Sequence, residues 1–196
     1  RARLDALPAP ELAAAPATVR ADVDLLRGSV LRNLGDVAAA RAANLRAAAA
    51  AESVGDDRRR ALALAHLIDL SAAVKISLDE ADTLAAIATS AADRTHSAEV
   101  RATVLAARTS LALMRGQPDV ALGLIDEALR VPTDPRETAA RRAQRAAALG
   151  MRGDPAAQLA ALTEARRDAS AALDAAHPVV LTLAMSMTEP RLTLGH

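Results

Sequence analysis

The sequence contains no cysteine, so it builds neither a disulfide framework nor a thiolate metal site. It contains no Phe, Trp or Tyr either, which removes the bulky side chains that ordinarily anchor cores and interfaces. Lysine is almost missing: Lys75 stands alone among 24 basic residues, the rest being Arg. With abundant Ala, that Arg bias reads as translation from a GC-rich genome. Genome bias lowers an aromatic count but rarely brings it to zero over 196 residues, so a deliberately reduced alphabet is a second reading. No apolar run is long enough to span a bilayer, and the charged start from Arg1 to Leu7 lacks a signal-peptide apolar core. The chain begins without Met, from which we expect a processed product or an excised piece of a longer one. Neither sign of charge is in excess, with 24 basic against 24 acidic residues. This argues against a nucleic-acid binder, which needs a basic stripe to neutralise phosphates. Arg58, Arg59 and Arg60 are consecutive; a solvated helix face explains them more simply than a basic patch.

What remains is a strong helix signal. Hydrophobic residues make up 52% of the chain, much of it Ala, the best helix former because its side chain has no rotamer entropy to lose. An Ala–Leu core lets helices approach closely, and each contact buries little area. Apolar periodicity predicts helices over about 18–33, 36–53, 57–75, 78–93, 97–115, 118–131, 135–152, 155–175 and 178–188, with no strand of useful length. Ser77-Leu78-Asp79-Glu80 reads as a capping box. Asp134-Pro135 and Asp154-Pro155 each offer an Asp cap followed by Pro at the first helical position, and Asp56 and Ser97 are further entries. Gly35, Gly116 and Gly153 each follow a helix, where glycine accepts a left-handed conformation at low cost.

These punctuators recur. Five and twelve residues past Gly35 lie Ala40 and Ala47; the same steps past Gly116 reach Ala121 and Ala128. After Gly153 they reach Gln158 and Ala165, so the first small position departs from the pattern. A further unit has Ile76 in place of glycine and keeps Ala81 and Ala88 at those steps. Arg27, Arg108 and Arg145 each precede their glycine by eight residues. Four related helix pairs follow, over about 18–54, 56–93, 97–132 and 135–175, with a partial unit over 178–196, in one domain covering 1–196. A fixed period of this size marks a helical solenoid.

The segment from Gly116 to Pro132, with Ala121, Ala128 and the closing proline, resembles the second half of a tetratricopeptide repeat, and Gly28, Gly35, Ala40 and Ala47 match that family's spacing. The aromatic positions of the family's first helix are filled here by Asp24, Leu105 and Arg142, and Ile125 stands for an aromatic of the second. The period exceeds the family's usual ~34 residues. It is closer to the longer kinesin-light-chain-like bacterial arrays, whose linker resembles Ala172-Leu173-Asp-Ala-Ala-His177-Pro178-Val179. The stretch from Ala47 to Arg94 is also similar to arrays in bacterial serine/threonine kinases and large signalling regulators. The resemblance implies an all-α, right-handed α-α superhelix of about four helix pairs.

Catalytic constellations are not found. His66, His96, His177 and His196 form no i, i+4 pair and no His-Glu-x-x-His, so no metal ligand set is expected. His66 reads as a groove residue or as a partly buried, hydrogen-bonded structural one, the latter being simpler. No serine sits in a nucleophile elbow and no glycine-rich loop is present to cradle phosphate. Asp79, Glu80 and Asp82 cluster where they meet the positive end of a helix dipole.

In the arrays this chain resembles, the first helix of each pair lines a concave groove. The resemblance therefore places Asp22, Ser29, Arg32, Asn33, His66, Thr103, Ser110 and Met114 there, with Arg32 and Asn33 set to clamp a peptide carboxylate or backbone. A helix C-terminus, where Arg meets the negative dipole end and Asn favours the turn, explains Arg32 and Asn33 more simply. The expected function is a non-catalytic, cytoplasmic scaffold for a peptide or protein partner, without cofactor, nucleic acid or membrane. A regulatory or oligomerising segment of a larger signalling protein is the alternative; an engineered aromatic-free scaffold is the third reading. Leu181, Leu183 and Met185 are expected as an exposed apolar end needing a cap or a neighbouring copy.

Overall fold

Aspartate, proline and glycine set the ends of the helices. The structure, a computed structural model, describes residues 9–71 and 77–195. Among them every regular element is a helix: α1 (Ala9–Ala14), α2 (Ala17–Asn33), α3 (Val37–Glu52), α4 (Asp57–Asp69), α5 (Leu78–Thr95), α6 (Ala98–Met114), α7 (Pro118–Leu129), α8 (Pro135–Met151), α9 (Pro155–Ala172), α10 (Pro178–Ser186) and α11 (Thr188–Leu194). The expected caps form. Asp56 accepts from the Arg59 amide at 3.0 Å, Asp134 from Glu137 at 2.9 Å, and Asp154 from Ala157 at 2.9 Å. Ser77 accepts from the Glu80 amide at 3.1 Å. The Glu80 carboxylate, expected to reach back to the cap, meets Arg41 of α3 at 3.0 Å. Gly35, Gly116 and Gly153 take left-handed φ values of 78°, 68° and 84°, which satisfies terminal carbonyls without a Cβ penalty. His96 does the same without being glycine, at φ 52°.

Three expectations change. The helix expected over 57–75 ends at Asp69, and Lys75 and Ile76 lie outside the described residues, as do Arg1–Leu7 and His196. The helix expected over 178–188 breaks at Met187, which closes α10 and opens α11. Leu183, expected at an exposed end, is buried with Val180 and Met187 against Leu162, Ala165 and Ala169 of α9; Leu181 and Met185 stay exposed. The one apolar side chain of the three that points at α9 is thus already covered by the fold.

The chain divides into two compact units, Arg1–Ala107 and Arg108–His196, a division that falls inside α6. In the first, α2 packs on α3, α3 on α4 and α4 on α5, while α2 also touches α4. In the second, α7 packs on α8 and α8 on α9, and α10 and α11 close over α9. No described helix is long and apolar enough to cross a membrane.

The contacts are made by small residues. Ala40, Ala43, Ala47 and Ala51 of α3 are fully buried, as are Ala61, Ala63 and Ala65 of α4. Each contributes little area, so stability must come from many close contacts. Charged pairs also tie neighbouring helices together. Asp24, 5% exposed, accepts from Nη2 and Nε of Arg46 at 2.7 and 3.2 Å, tying α2 to α3. At the matching position of α8, Arg142 pairs with Asp168 of α9, with the charges reversed. The departure at Gln158 also finds its reason. A Cβ on Gly150 would come within 2.6 Å of the Gln158 side chain, so the glycine of α8 makes room for the larger residue of α9.

Candidate functional site

The residues expected in a groove fall into two groups, one in each unit. In the first unit, α2 and α4 run beside each other, and polar side chains bridge them at two heights. Asp22 accepts from Nε and Nη2 of Arg59 at 2.7 and 2.8 Å. The hydrogen bonds from Arg59 hold the Asp22 carboxyl below the usual carboxylate range. Further along, Arg32 lies 3.7 Å from the Asp69 carboxylate, an ion pair without a hydrogen bond's closeness. Asn33, exposed, ends α2 beside it, and Ser29 is half-buried one turn earlier.

His66 is set between these heights on α4. Its Nδ1 is buried and makes no hydrogen bond. Burial, reinforced by the nearby Arg32 charge, lowers its pKa from 6.5 to about 4, so the imidazole is neutral at neutral pH. The structural reading of His66 expected a hydrogen-bonded ring; for Nδ1 that bond is not made. Thr103 of α6 turns its hydroxyl back to the Glu99 carbonyl at 3.1 Å, the usual way a helix absorbs a threonine.

In the second unit, Ser110 of α6 accepts from Nε2 of Gln144 of α8 at 2.8 Å. Met114, 37% exposed, lies one turn further on. The polar bridges therefore share a plan: a residue expected in the groove on one first helix is tied to the next first helix. Arg59, Asp69 and Gln144 carry these ties; by sequence Arg59 reads only as one of three consecutive arginines on a solvated face, and Asp69 and Gln144 are not singled out. The signal is faint but present: Asp22–Arg59 and Arg32–Asp69 are each 37 residues apart, Ser110–Gln144 34, all near one repeat period.

No family model matches the chain, and no curated protein matches it. The functional reading therefore rests on geometry. Among the described residues no group of three or more His, Asp or Glu side chains gathers as for a metal ion. Arg141, 3% exposed, is the most buried cation among the described residues. Its Nη1 donates to the Ala128 carbonyl at 2.9 Å and its Nε to Glu137 at 3.3 Å, closing the end of α7. That is a capping role, since the last carbonyls of a helix lack intrahelical donors.

Proposed function

We propose that the chain is a non-catalytic scaffold of tetratricopeptide type, its helix pairs continuing into a right-handed superhelix that holds a peptide or protein segment on the concave face. The observation that supports this best is the strip along α2 and α4, where Arg32 stands beside His66 and Asp69 and Asn33 follows it at the end of α2. Arg32 is 39% exposed and only loosely paired with Asp69, so its guanidinium can turn to a ligand carboxylate at small cost. Asn33 supplies an amide able both to donate and to accept along a peptide backbone. Neutral His66 adds an uncharged wall beside them. A binding face without Tyr or Trp must draw affinity from Arg forks and aliphatic contact.

The test is selection of binding peptides from a displayed random library on the full chain, followed by titration against Arg32→Ala/Asn33→Ala. Both residues are exposed, so the double variant keeps its helix content. Affinity falls by about tenfold or more if a charged clamp is lost. Unchanged affinity for every selected peptide rejects this strip as the site.

A further inference from the structure

With Cys, Trp and Tyr all missing, methionine is the one residue type here that a hydroperoxide oxidises readily. The chain has four, and all fall in the second compact unit. Their surroundings divide them. Met185 is 75% exposed, Met151 50% and Met114 37%, whereas Met187 is 2% exposed in the apolar cluster that α10 makes with α9. Two of the exposed thioethers hold one structural position. Met114 is the last residue of α6 and Met151 the last of α8, each two residues before a glycine of left-handed φ. In the first unit that position belongs to Asn33, the last residue of α2 and two before Gly35. Met185, on α10, lies outside this register.

The chemistry of that position is set by its terminal group. The Asn33 side chain ends in a carbonyl that accepts strongly, while a thioether sulfur is apolar and accepts weakly. Oxidation closes this gap. The sulfur lone pair attacks one peroxide oxygen, an S–O bond forms as the O–O bond breaks, and the displaced oxygen leaves as water with the proton of the attacked one. Sulfur loses two electrons and the peroxide gains them. The sulfoxide that results is polar and accepts hydrogen bonds. We propose that Met114 and Met151 are hydroperoxide-responsive sites whose oxidation switches the second unit from holding an apolar segment to refusing it. This rests on the reading that the ends of the first helices face the ligand. Both side chains stand exposed at helix ends, so the added oxygen meets solvent and the helices stay intact. Met187, inside the cluster with Leu183 and Leu162, is spared.

The full chain is treated with hydrogen peroxide, and sulfoxide is followed by mass spectrometry after cleavage at Arg, which puts Met114 and Met151 in separate peptides. Tandem fragmentation resolves Met185 from Met187. Met114, Met151 and Met185 are expected to oxidise within a few-fold of one another, and Met187 at least about tenfold more slowly, with the circular dichroism spectrum unchanged. Oxidation of Met187 as fast as Met151 overturns the proposal. The second readout is the affinity of a peptide selected on the reduced chain from a displayed random library. Peroxide lowers it by about fivefold or more, Met114→Gln/Met151→Gln lowers it without peroxide, and Met114→Leu/Met151→Leu removes the peroxide effect. A peroxide effect that persists in the leucine variant overturns the assignment to these two residues. Affinity that falls in Arg32→Ala/Asn33→Ala yet ignores peroxide overturns this proposal alone. Affinity that ignores both overturns the groove reading as well.

Discussion

Gly28 and the Asn44 amide are in contact so close that a Cβ on the glycine would stand 2.7 Å from both Oδ1 and Nδ2. Asn44 is 1% exposed and its Nδ2 donates to the Ala40 carbonyl at 3.0 Å, so it has nowhere to go. Gly28→Ala gains about 1 kcal/mol of helix propensity and loses more through the clash, for a net destabilisation of about 1–3 kcal/mol. Urea unfolding followed by circular dichroism measures it, as the chain has no aromatic fluorophore. Combining Gly28→Ala with Asn44→Ala removes the clash, and the cycle shows a favourable coupling term.

Gly150 gives the contrasting case. Its Cβ would meet only the far end of Gln158, which is half-buried and can swing outward. Gly150→Ala is therefore neutral or stabilising by up to about 1 kcal/mol. A loss as large as that for Gly28→Ala would mean that Gln158 is held fixed.

Arg46→Ala should cost more than a surface residue normally does. It leaves the Asp24 carboxylate, 5% exposed, without its two hydrogen bonds. Half of the arginine is solvated, so the loss is discounted from that of a fully buried pair to about 1–3 kcal/mol. Asp24→Leu in the Arg46→Ala background recovers part of it, because an apolar residue at this position needs no partner. No recovery would show that the pair does not substitute for an apolar contact.

The pH dependence separates two groups of residues. His66 has a folded pKa of about 4 against an ordinary 6.5, so folding keeps it neutral. Its contribution is complete above pH 6.5 and falls by roughly 1.4 kcal/mol per unit as pH drops from 6.5 to about 4. His66→Leu abolishes the loss in that window, which a comparison of melting temperatures reads directly. Asp22 and Asp57, held low by hydrogen bonds from Arg59 and Arg94, behave differently. Their contribution is present above the ordinary 3.8 and disappears only as pH falls through their lower folded values, in both the wild type and the variant.

Much of the backbone was readable because its signals are local. An Asp before a Pro fixes a start and a Gly fixes an end through bonds within one turn, which is why α8 and α9 begin where expected at Pro135 and Pro155. Where the local signal is weak, reading failed. α1 has six residues among prolines, α11 opens on the residue that closes α10, and His96 adopts the left-handed turn that glycine usually marks. Side-chain partnerships were the least legible. Asp24 was recognised as a departure from an aromatic position, yet its pairing with Arg46 joins two helices and leaves no periodic trace. The candidate strip is half legible: repeat register points to Arg32 and His66, while the ties to Asp69 and Arg59 depend on α2 lying beside α4.

The most direct measurement maps a library-selected peptide on the full chain by amide chemical-shift perturbation. The largest shifts are expected on Arg32, Asn33, His66 and Asp69, and Arg32→Ala/Asn33→Ala removes them while the remaining spectrum is preserved. Saturable shifts confined to other faces, unaffected by that substitution, would contradict it.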